Sequence, residues 1–430
     1  MKQLEVIAAS PVPDSSKYTF LEKEELFELG PLLTKPHVTL KSGYTLPPPG
    51  TFRRIIRIDF SAIDPQSNTI YEKVMENATN ALMTFWANRV TLVKFGRKYT
   101  TNFFKNLSIL TDTTPITKFF ASVEKPIIVF GAGESALDGI KKIKKECSDG
   151  TKKYFILCAD TALQPLVKSG IIPDGVFIEE AQNVISKCFI GMSECGTHIF
   201  AGLSSVHSIT RFFKPVDISF FTTQFVNASF LERFDKAGIL PPKNDPFGSV
   251  GISAWYYAML FRKDDTVPVY TWGLDFAYSA GRTHTKGAMA DNARFFNSNR
   301  IKNDANYAAA FCEPAFKKNE KMYTTPIMAR YDAIMNTLRQ AAIQVPESVE
   351  RQADTLLILK QEAQALLEIK SLLTGEKQLP QAELQNVLTK LISEREYLFL
   401  HFPDGQRFNY TQSFLNRVRV EIDYFLKILK

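Results

Sequence analysis

One short stretch, Pro126 to Cys147, constrains the fold more than any other. It reads PIIVFGAGESALDGIKKIKKEC. Its apolar start, Pro126–Phe130, is too short for a helix and is typical of a strand buried on both faces. The later residues place Ile140, Ile143 and Cys147 on one helical face, with lysines mostly on the other. The stretch therefore predicts a buried strand, a glycine turn and an amphipathic helix.

The turn itself, Gly131–Ser135, is the first candidate binding element. Two glycines allow a tight bend and the close approach of a ligand to the backbone. The helix that follows offers free N–H groups and the positive end of its dipole, which suit a phosphate. A tight βα turn that binds nothing explains the same letters, and this stretch alone does not decide between the two.

The segment from Glu124 to Ala277 alternates between short apolar runs and amphipathic runs. This pattern predicts a parallel sheet with helices on both faces, a Rossmann-like α/β domain. The predicted strands are Ile127–Phe130, Tyr154–Cys158, Gly175–Ile178, His198–Gly202, Ile218–Thr222 and Val267–Trp272. The predicted helices are Ala136–Cys147, Ala162–Ser169, Val184–Ser193, His207–Phe213 and Ser249–Phe261.

The flanking regions differ from this middle domain. Residues 1–120 predict a mixed α/β domain, with a strand at Arg54–Phe60 and helices at Tyr71–Ala87 and Tyr99–Leu110. Residues 323–430 repeat apolar side chains at spacings of three and four, with Gly375 as a helix stop, and predict a helical bundle. The middle domain then covers residues 121–322.

Composition narrows the class of protein. The 430 residues are 45% hydrophobic and 23% charged, which is ordinary for a globular protein of two or three domains. A net charge of +7 permits an anionic ligand, and no nucleic-acid-binding signature is present. There is no secretory apolar segment at the start and no apolar run of the ~18 residues that span a bilayer. We therefore expect a cytoplasmic protein with no membrane span and no nucleic-acid partner.

The cysteines are five, an odd number, and scattered, as in reduced cytoplasmic proteins. A zinc site could be assembled from Cys188, Cys195, His198 and His207. Their spacing matches no known zinc finger, and Cys188 and His198 lie in segments that have the pattern of a core. We predict no metal site.

Polar residues that follow the predicted strands form the candidate site, because ligands of such sheets bind outside the carboxyl ends of the strands. Asp160 and Glu180 follow the second and third strands, and Asp275 follows the last. Ser249 opens a helix within a second small-residue turn, FGSVG. Asp160 and Asp275 suit ribose hydroxyls, although Asp275 could equally cap backbone amides.

A polar loop after the last strand carries His284 between Arg282 and Lys286. A histidine there can act as a general base near neutral pH, and the two cations can hold a phosphate. An ordinary surface histidine is the alternative, but the position at the carboxyl edge of the sheet favours function.

Two other kinds of nucleotide site fit the sequence less well. Gly131 to Ala136 formally fits GxGxxA, but Asp160 comes late for an NAD site and nothing downstream supplies hydride chemistry. The chain has no P-loop lysine motif, which argues against a Walker-type ATPase.

Four blocks of the sequence, in this order, resemble one family. They are GAGES with its helix, CADTALQPLVKSGIIPDGVFIEEAQ at Cys158–Gln182, FGSVGISAW at Phe247–Trp255 and GLDFAYSAGRTHTKG at Gly273–Gly287. The family is that of the motility accessory factor (Maf) flagellin glycosyltransferases, whose core domain is shared with the MptE-like 6-hydroxymethylpterin diphosphokinases. The same blocks are more distantly similar to bacterial sialyltransferases that use CMP-sialic acid.

The resemblance implies a metal-independent transferase that uses a CMP-activated nonulosonic acid. It places the nucleotide over Gly131, Gly133 and Ser135, with Ser249 near phosphate or ribose. Asp160, Glu180 and Asp275 line the pocket in that reading, His284 is the base, and Arg282 or Lys286 stabilises the leaving phosphate.

The chain departs from the family pattern at two positions. Glu134 stands where the family usually has proline, and Glu180 stands where it usually has aspartate. A carboxylate at position 134 is unfavourable beside a phosphate unless it points away. Either change is compatible with altered specificity or lost activity.

Three functions follow. The first is transfer of a pseudaminic- or legionaminic-like sugar to a hydroxyl of flagellin or another protein, with no required cofactor. The second is transfer of diphosphate from ATP, with Mg²⁺, to a hydroxymethylpterin. The third is a binding or scaffold protein without catalysis. The flanking domains favour the first, since a small-molecule kinase hardly needs a helical bundle that docks a protein.

Overall fold

The computed structural model describes residues 7–8, 19–20, 68–312, 314–345, 354–403 and 408–429. The chain divides into two compact units, residues 1–94 and residues 95–430. In the first unit, β1 (Ile7–Ala8) and β2 (Thr19–Phe20) form a parallel pair. The predicted strand Arg54–Phe60 lies outside the described residues.

A single helix, α1 (Asn68–Ser108), replaces the two helices that the sequence predicted between residues 71 and 110. The prediction of a break was wrong. Gly96 lies within this helix, and a Cβ there would lie 2.2 Å from Leu400 Cδ1. Gly96 therefore makes room for a close neighbour and does not end the helix.

The middle domain is a Rossmann-like parallel sheet of seven strands, as the sequence predicted. Six strands fall at or within two residues of the predicted bounds, and a short further strand, β8, was not predicted. The strands are β3 (Ile127–Phe130), β4 (Phe155–Ala159), β5 (Gly175–Ile178), β6 (His198–Gly202), β7 (Ile218–Thr223), β8 (Lys243–Asn244) and β9 (Val269–Trp272). Their order in the sheet is β8-β7-β6-β5-β4-β3-β9.

This order contains one reversal. The chain adds strands on one side from β3 to β8 and then returns to place β9 on the other side of β3. The switch point of the sheet therefore lies between β3 and β9, and the carboxyl ends of those strands are Phe130 and Trp272. In open α/β sheets this is where ligands generally bind.

Helices connect the strands. They are α2 (Ala136–Glu146), α3 (Asp160–Lys168), α4 (Ser229–Lys236) and α5 (Val250–Phe261). The segments after β5 and β6 were predicted as α-helices but form shorter 3₁₀ helices, at Asn183–Phe189 and His207–Arg211. Gly191 and Gly196 lie between the first of these 3₁₀ helices and β6, and their positive φ angles of 74° and 75° allow the chain to turn there.

The core of the domain lies between the sheet and α5. Phe177, Phe200, Tyr257 and Phe261 are fully buried there, and the Phe177 and Phe200 rings stack at 4.8 Å. Each such side chain contributes roughly 1.5–3 kcal/mol by leaving water. Most residues of α5 are apolar and buried. A helix that is apolar on all sides is typical of the interior of a protein.

A small antiparallel sheet and several helices follow β9. The strands are β10 (Tyr278–Ser279), β11 (Phe316–Lys317) and β12 (Met322–Thr324), and the helices are α6 (Met289–Phe296), α7 (Ala308–Phe311) and α8 (Pro326–Gln340). Met335 of α8 is buried in the same core cluster as the sheet residues. The domain boundary at residue 323 stays a prediction, and α8 packs with the sheet layer.

The C-terminal helices agree with the predicted pattern. They are α9 (Thr355–Thr374), α10 (Gln381–Ser393) and α11 (Gln412–Leu426), and Gly375 ends α9 with a φ of 78°. Each helix contributes buried apolar side chains, among them Leu366, Leu388 and Val418, as expected of a core, whereas Leu356 at the start of the α9 repeat is 45% exposed. The bundle is joined to α4 by Glu362, which accepts two hydrogen bonds from Arg233, at 2.8 and 2.9 Å. Within the described residues no helix is long and apolar enough to cross a bilayer.

Candidate functional site

The glycine turn after β3 packs directly against the segment that follows β9. The N–H of Gly131 donates to the Trp272 carbonyl at 2.7 Å, and that of Gly133 donates to the Gly273 carbonyl at 2.8 Å. A Cβ on Gly131 would lie 2.2 Å from the Gly273 carbonyl oxygen, and one on Gly133 would lie 2.3 Å from Asp275 Oδ2. Both glycines are therefore required by contacts within the protein.

Asp275 lies at the N-terminus of α2. The backbone N–H of Ser135 donates to Asp275 Oδ2 at 3.0 Å, and the Ser135 hydroxyl donates to Oδ1. The Ser135 Oγ in turn accepts from the Gly273 N–H at 2.7 Å. A carboxylate here satisfies the free helix N–H and interacts favourably with the dipole. The place expected for a phosphate thus holds the protein's own anion.

The leucine between these residues closes the rest of the switch point. A Cβ on Gly131 would lie 2.6 Å from Leu274 Cδ2, and one on Gly251, in the first turn of α5, would lie 2.3 Å from the same atom. The Leu274 side chain therefore lies against both helix-opening turns. Ser249 precedes α5 and is half-buried, and its carbonyl accepts from the Ile252 N–H at 3.0 Å. Nucleotide binding by the predicted residues of these two turns stays a prediction.

Asp160 begins α3 directly after β4 and is 3% exposed. Its Oδ1 accepts the Thr161 N–H at 2.6 Å. The pKa of Asp160 is raised to about 7, mainly by burial and to a smaller extent by the nearby carboxylates of Glu180 and Glu179, while the Thr161 hydrogen bonds oppose this rise. A carboxyl group that titrates near neutrality is suited to general acid–base work and is common at functional sites.

Two glutamates follow β5 and have different surroundings. Glu179 accepts hydrogen bonds from the Thr223 hydroxyl at 2.5 Å and from the Ser253 hydroxyl at 2.6 Å, and burial raises its pKa. Glu180 accepts from the Gln182 N–H at 2.8 Å. The sequence predicted Glu180 and missed Glu179. Adjacent residues at the end of a strand point to opposite faces of the sheet, so Glu179 and Glu180 have different neighbours. The sequence does not show which of the two faces carries hydroxyl donors.

A polar cavity of about 210 Å³ lies beside the glycine turn. Glu134 lines it, and its carboxylate accepts a hydrogen bond from the Ser279 hydroxyl. The remaining lining comes from β10 and the loop after it, from α6, and from the segment between α6 and α7. It includes Arg282, Thr283, His284, Asp291, Arg294, Asp304 and Tyr307. Glu134 thus lines this cavity, and Ser279 holds its carboxylate.

His284 is half-buried in the cavity wall. Its Nδ1 lies 3.0 Å from the Thr283 hydroxyl, and no other hydrogen bond of its ring occurs within the described residues. Burial lowers the pKa of His284, and the positive charge of Arg294 lowers it further, while Asp291 opposes both. The imidazole is therefore neutral at pH 7 and can accept a proton. The neighbouring Thr285 N–H donates to the Ala132 carbonyl at 2.7 Å, which fixes the loop to the glycine turn.

The two predicted cations of this loop are placed differently. Arg282 lines the cavity, and its Nε lies 3.9 Å from Asp291 Oδ1. Lys286 is exposed and is not part of the lining. Arg294, on α6, lines the cavity and was missed. It lies beyond the last predicted strand, in a helix that the sequence reading did not assign, so no motif marked it.

The residues considered for zinc do not converge. His198 Nε2 lies 2.8 Å from the Ser219 hydroxyl, and His207 Nδ1 lies 2.8 Å from Asn106 Oδ1. Across the described parts of the chain, no group of three or more histidine, cysteine or acidic side chains could hold a metal ion.

The fold and the site define an α/β protein with a Rossmann-like sheet and polar groups gathered at its carboxyl edge. The family model described as 6-hydroxymethylpterin diphosphokinase MptE-like matches residues 99–281. This part of the chain is therefore similar to the MptE-like family, as the sequence blocks indicated. The match includes Asp160, Glu180 and Asp275 and ends just before Arg282.

Two further comparisons cover more of the chain. A protein of Treponema pallidum (strain Nichols), described as "Uncharacterized protein", is 29% identical over 437 residues, which span 88% of this chain and 74% of that protein. The solved structure of a Maf glycosyltransferase from Magnetospirillum magneticum AMB-1 is 13% identical, with a TM-score of 0.42. The alignment covers 85% of this chain and 63% of that structure. Because this score is low, the family assignment depends on the matched domain.

Proposed function

We propose that the protein is a glycosyltransferase of the Maf type. In this proposal it moves a nonulosonic acid of the pseudaminic or legionaminic kind from its CMP-activated form to a serine or threonine hydroxyl of flagellin or another protein. The observation that carries the proposal is the cavity beside the glycine turn, where a neutral imidazole and two guanidinium groups line the same space.

These groups supply what glycosyl transfer needs. The acceptor hydroxyl loses its proton as its oxygen bonds to the anomeric carbon, and in this proposal His284 accepts that proton. The bond between the sugar and the CMP phosphate breaks at the same carbon, and the phosphate leaves with a greater negative charge. Arg282 and Arg294 are the cations that stabilise this charge. No metal ion or other cofactor takes part in this proposal.

The nucleotide is assigned to the carboxyl edge next to the cavity. Asp160 and Glu180 accept hydrogen bonds from ribose hydroxyls in this proposal, and Ser249 lies near the phosphate or ribose. Gly131, Gly133, Ser135 and Asp275 shape the turn on which the nucleotide lies. Lys286, outside the cavity, is assigned only a distant electrostatic effect on the anionic donor.

The family match favours a second candidate, the transfer of diphosphate from ATP to a hydroxymethylpterin. That reaction uses Mg²⁺, which binds through one or two protein carboxylates together with substrate phosphates. Asp160 and Glu180, at neighbouring strand ends, are the carboxylates of the right kind.

Thermal shift with CMP, CDP, UDP, ATP and NAD separates the candidates, since a ligand that binds the folded state raises Tm. We expect CMP and CDP to stabilise the protein, and CMP to be released from CMP-pseudaminate or CMP-legionaminate when flagellin is present. Stabilisation by ATP with Mg²⁺, and ATP-dependent turnover of hydroxymethylpterin, would support the second candidate. Binding of none of these nucleotides would leave a scaffold protein.

A further inference from the structure

A groove lies along β9, at the edge of the sheet, and shares no lining residue with the polar cavity. Its volume is about 580 Å³, which is within the range of protein binding sites. β9 pairs with β3 on its inner side, and no described residue pairs with its outer side. The strand thus presents an open edge to this groove.

The hydrogen bonds to β3 show which backbone groups face outward. The Ile127 N–H donates to the Pro268 carbonyl at 2.9 Å, and the Gly131 N–H donates to the Trp272 carbonyl at 2.7 Å. In a strand, successive residues direct their backbone groups to opposite sides. The N–H and C=O groups of Val269 and Thr271 therefore face the groove.

The side chains around this edge are apolar and basic. Trp255 and Met259 of α5 form one wall, and Tyr270, which is 46% exposed, extends from the strand. Three cations line the groove, namely Lys142, Arg262 and Arg339, and none of the described acidic side chains does. The Lys142 Nζ lies 5.6 Å from the centre of the Tyr270 ring, and Arg339 donates to the Thr271 hydroxyl at 3.0 Å.

Two of these cations have acidic neighbours outside the lining. Lys142 Nζ lies 3.9 Å from Glu146 Oε1, and Arg262 contacts the exposed Asp265. Such surface pairs are weak and exchange readily for other carboxylates. The positive lining therefore remains available to an anionic partner.

We propose that this edge binds an extended, acidic segment of a partner protein as an additional strand of the sheet. The outward backbone groups of Val269 and Thr271 require an extended chain, because only that conformation presents a matching row of N–H and C=O groups. The basic lining selects carboxylate side chains on the added strand. This binding is separate from the proposed transfer reaction and does not depend on it.

The probe is a capped octapeptide in which glutamate alternates with valine, added to the full-length protein and followed by calorimetry. Two control peptides have either lysine in place of glutamate or N-methyl groups on alternate backbone nitrogens. We expect the glutamate peptide to bind, and both controls to bind at least about tenfold more weakly. Equal binding of the N-methylated peptide would overturn strand addition, and equal binding of the lysine peptide would overturn the acidic partner.

Variants test the same edge from the protein side. Thr271→Pro removes the outward N–H without touching a bond to β3, and proline is tolerated at sheet edges. Thr271→Val keeps that N–H and removes only the hydroxyl. We expect about tenfold weaker binding of the glutamate peptide for the first and less than about threefold for the second. Lys142→Glu combined with Arg339→Glu should also weaken binding about tenfold, which gives a second variant if Thr271→Pro unfolds.

Analytical sedimentation tests whether a second copy of this chain, and not an acidic partner, occupies the β9 edge. A dimer of the full chain that Thr271→Pro converts to monomer would assign the edge to a second copy and overturn the proposal. No binding of the glutamate peptide up to about 1 mM would also overturn it and would leave the cations as protection against edge-to-edge aggregation.

Discussion

The switch point between β3 and β9 and the cavity beside it lie next to each other but use their polar groups differently. At the switch point, the carboxylate of Asp275 caps α2, and Leu274 lies against both helix-opening turns. In the cavity, Glu134, His284 and two arginines line open space. The glycine turn, the most recognisable motif of the sequence, is therefore filled by contacts within the protein. The polar groups that face open space, and could contact a ligand, line the neighbouring cavity.

This difference shows why a glycine turn is weak evidence for a ligand. A glycine can be required because a substrate approaches the backbone or because another part of the chain does. Gly131 and Gly133 are of the second kind in the structure. A histidine that lines a cavity and has a lowered pKa, such as His284, is stronger evidence for a ligand site, because perturbed pKa values cluster at functional sites.

The largest expected effect comes from disrupting the contact between the glycine turn and the segment that follows β9. Gly131→Ala places a methyl group 2.2 Å from the Gly273 carbonyl oxygen, which is backbone and cannot move aside without shifting β9. We expect a loss of about 3 kcal/mol or more of unfolding free energy, measured by urea denaturation.

Gly202→Ala is the matched control, because its Cβ would meet no atom closer than 3.7 Å. It should change stability by less than about 1 kcal/mol. Equal effects of the two substitutions would show that the turn is not closed by its neighbour.

The second effect sharpens the role of the cavity. His284→Ala should lower kcat/KM for glycosyl transfer by about 100-fold while the melting temperature stays within a few degrees. Because the pKa of His284 is lowered below its ordinary 6.5, the base stays neutral at pH 6.5 and activity should decline only at lower pH.

Lys286→Ala, in the same loop but outside the cavity lining, is the control and should keep activity within about threefold. Full transferase activity in His284→Ala would remove this residue from the reaction. A larger loss in Lys286→Ala than in His284→Ala would reverse the comparison within the loop.

The third effect concerns Asp160. Its pKa is about 7 in the folded state against an ordinary 3.8, so between these values the folded protein holds a proton that the unfolded chain releases. This contribution to stability is present at low pH and is lost as the pH rises to about 7. Asp160→Asn, which keeps an oxygen for the Thr161 N–H, should be about 2 kcal/mol more stable than the original protein at pH 8 and equal to it near pH 4.

Asp138→Asn, at an exposed position of α2, is the control and should change stability by less than about 0.5 kcal/mol. Urea denaturation at pH 4, 6 and 8 measures both variants. A stability difference for Asp160→Asn that does not change with pH would mean that Asp160 is ionised throughout.

The smallest effect tests the cap of α2. Asp275→Ala removes both hydrogen bonds to Ser135 and should cost about 1 kcal/mol, whereas Asp275→Asn should cost less because one oxygen remains. Thermal denaturation with and without CMP measures the change. If Asp275 only caps α2, both variants should keep most of the CMP-induced rise in melting temperature. Complete loss of that rise would mean that Asp275 contacts the nucleotide.

Much of the fold was predictable, because its strands are short apolar runs between amphipathic helices. The bounds of β3, β5 and β6 were predicted correctly, and α9, α10 and α11 bury part of their predicted apolar repeats, although Leu356 of α9 is exposed. Local pattern failed between residues 87 and 99, where α1 continues through the predicted break. Gly96 in this stretch makes room for Leu400, a neighbour far along the chain. It also failed after β5 and β6, where tertiary packing favoured 3₁₀ helices over α-helices.

The candidate site divides in the same way. The sequence by itself determined that polar residues follow the parallel strands, so Asp160, Glu180 and the His284 loop had to lie at one edge of the sheet. Only the tertiary structure decided which of them face open space. That depends on contacts between residues that are distant in the chain, such as Asp275 with Ser135, Leu274 with Gly251, and Glu134 with Ser279. Strand periodicity places a side chain at an edge, but its partner there is set by how the later loop folds back over the sheet.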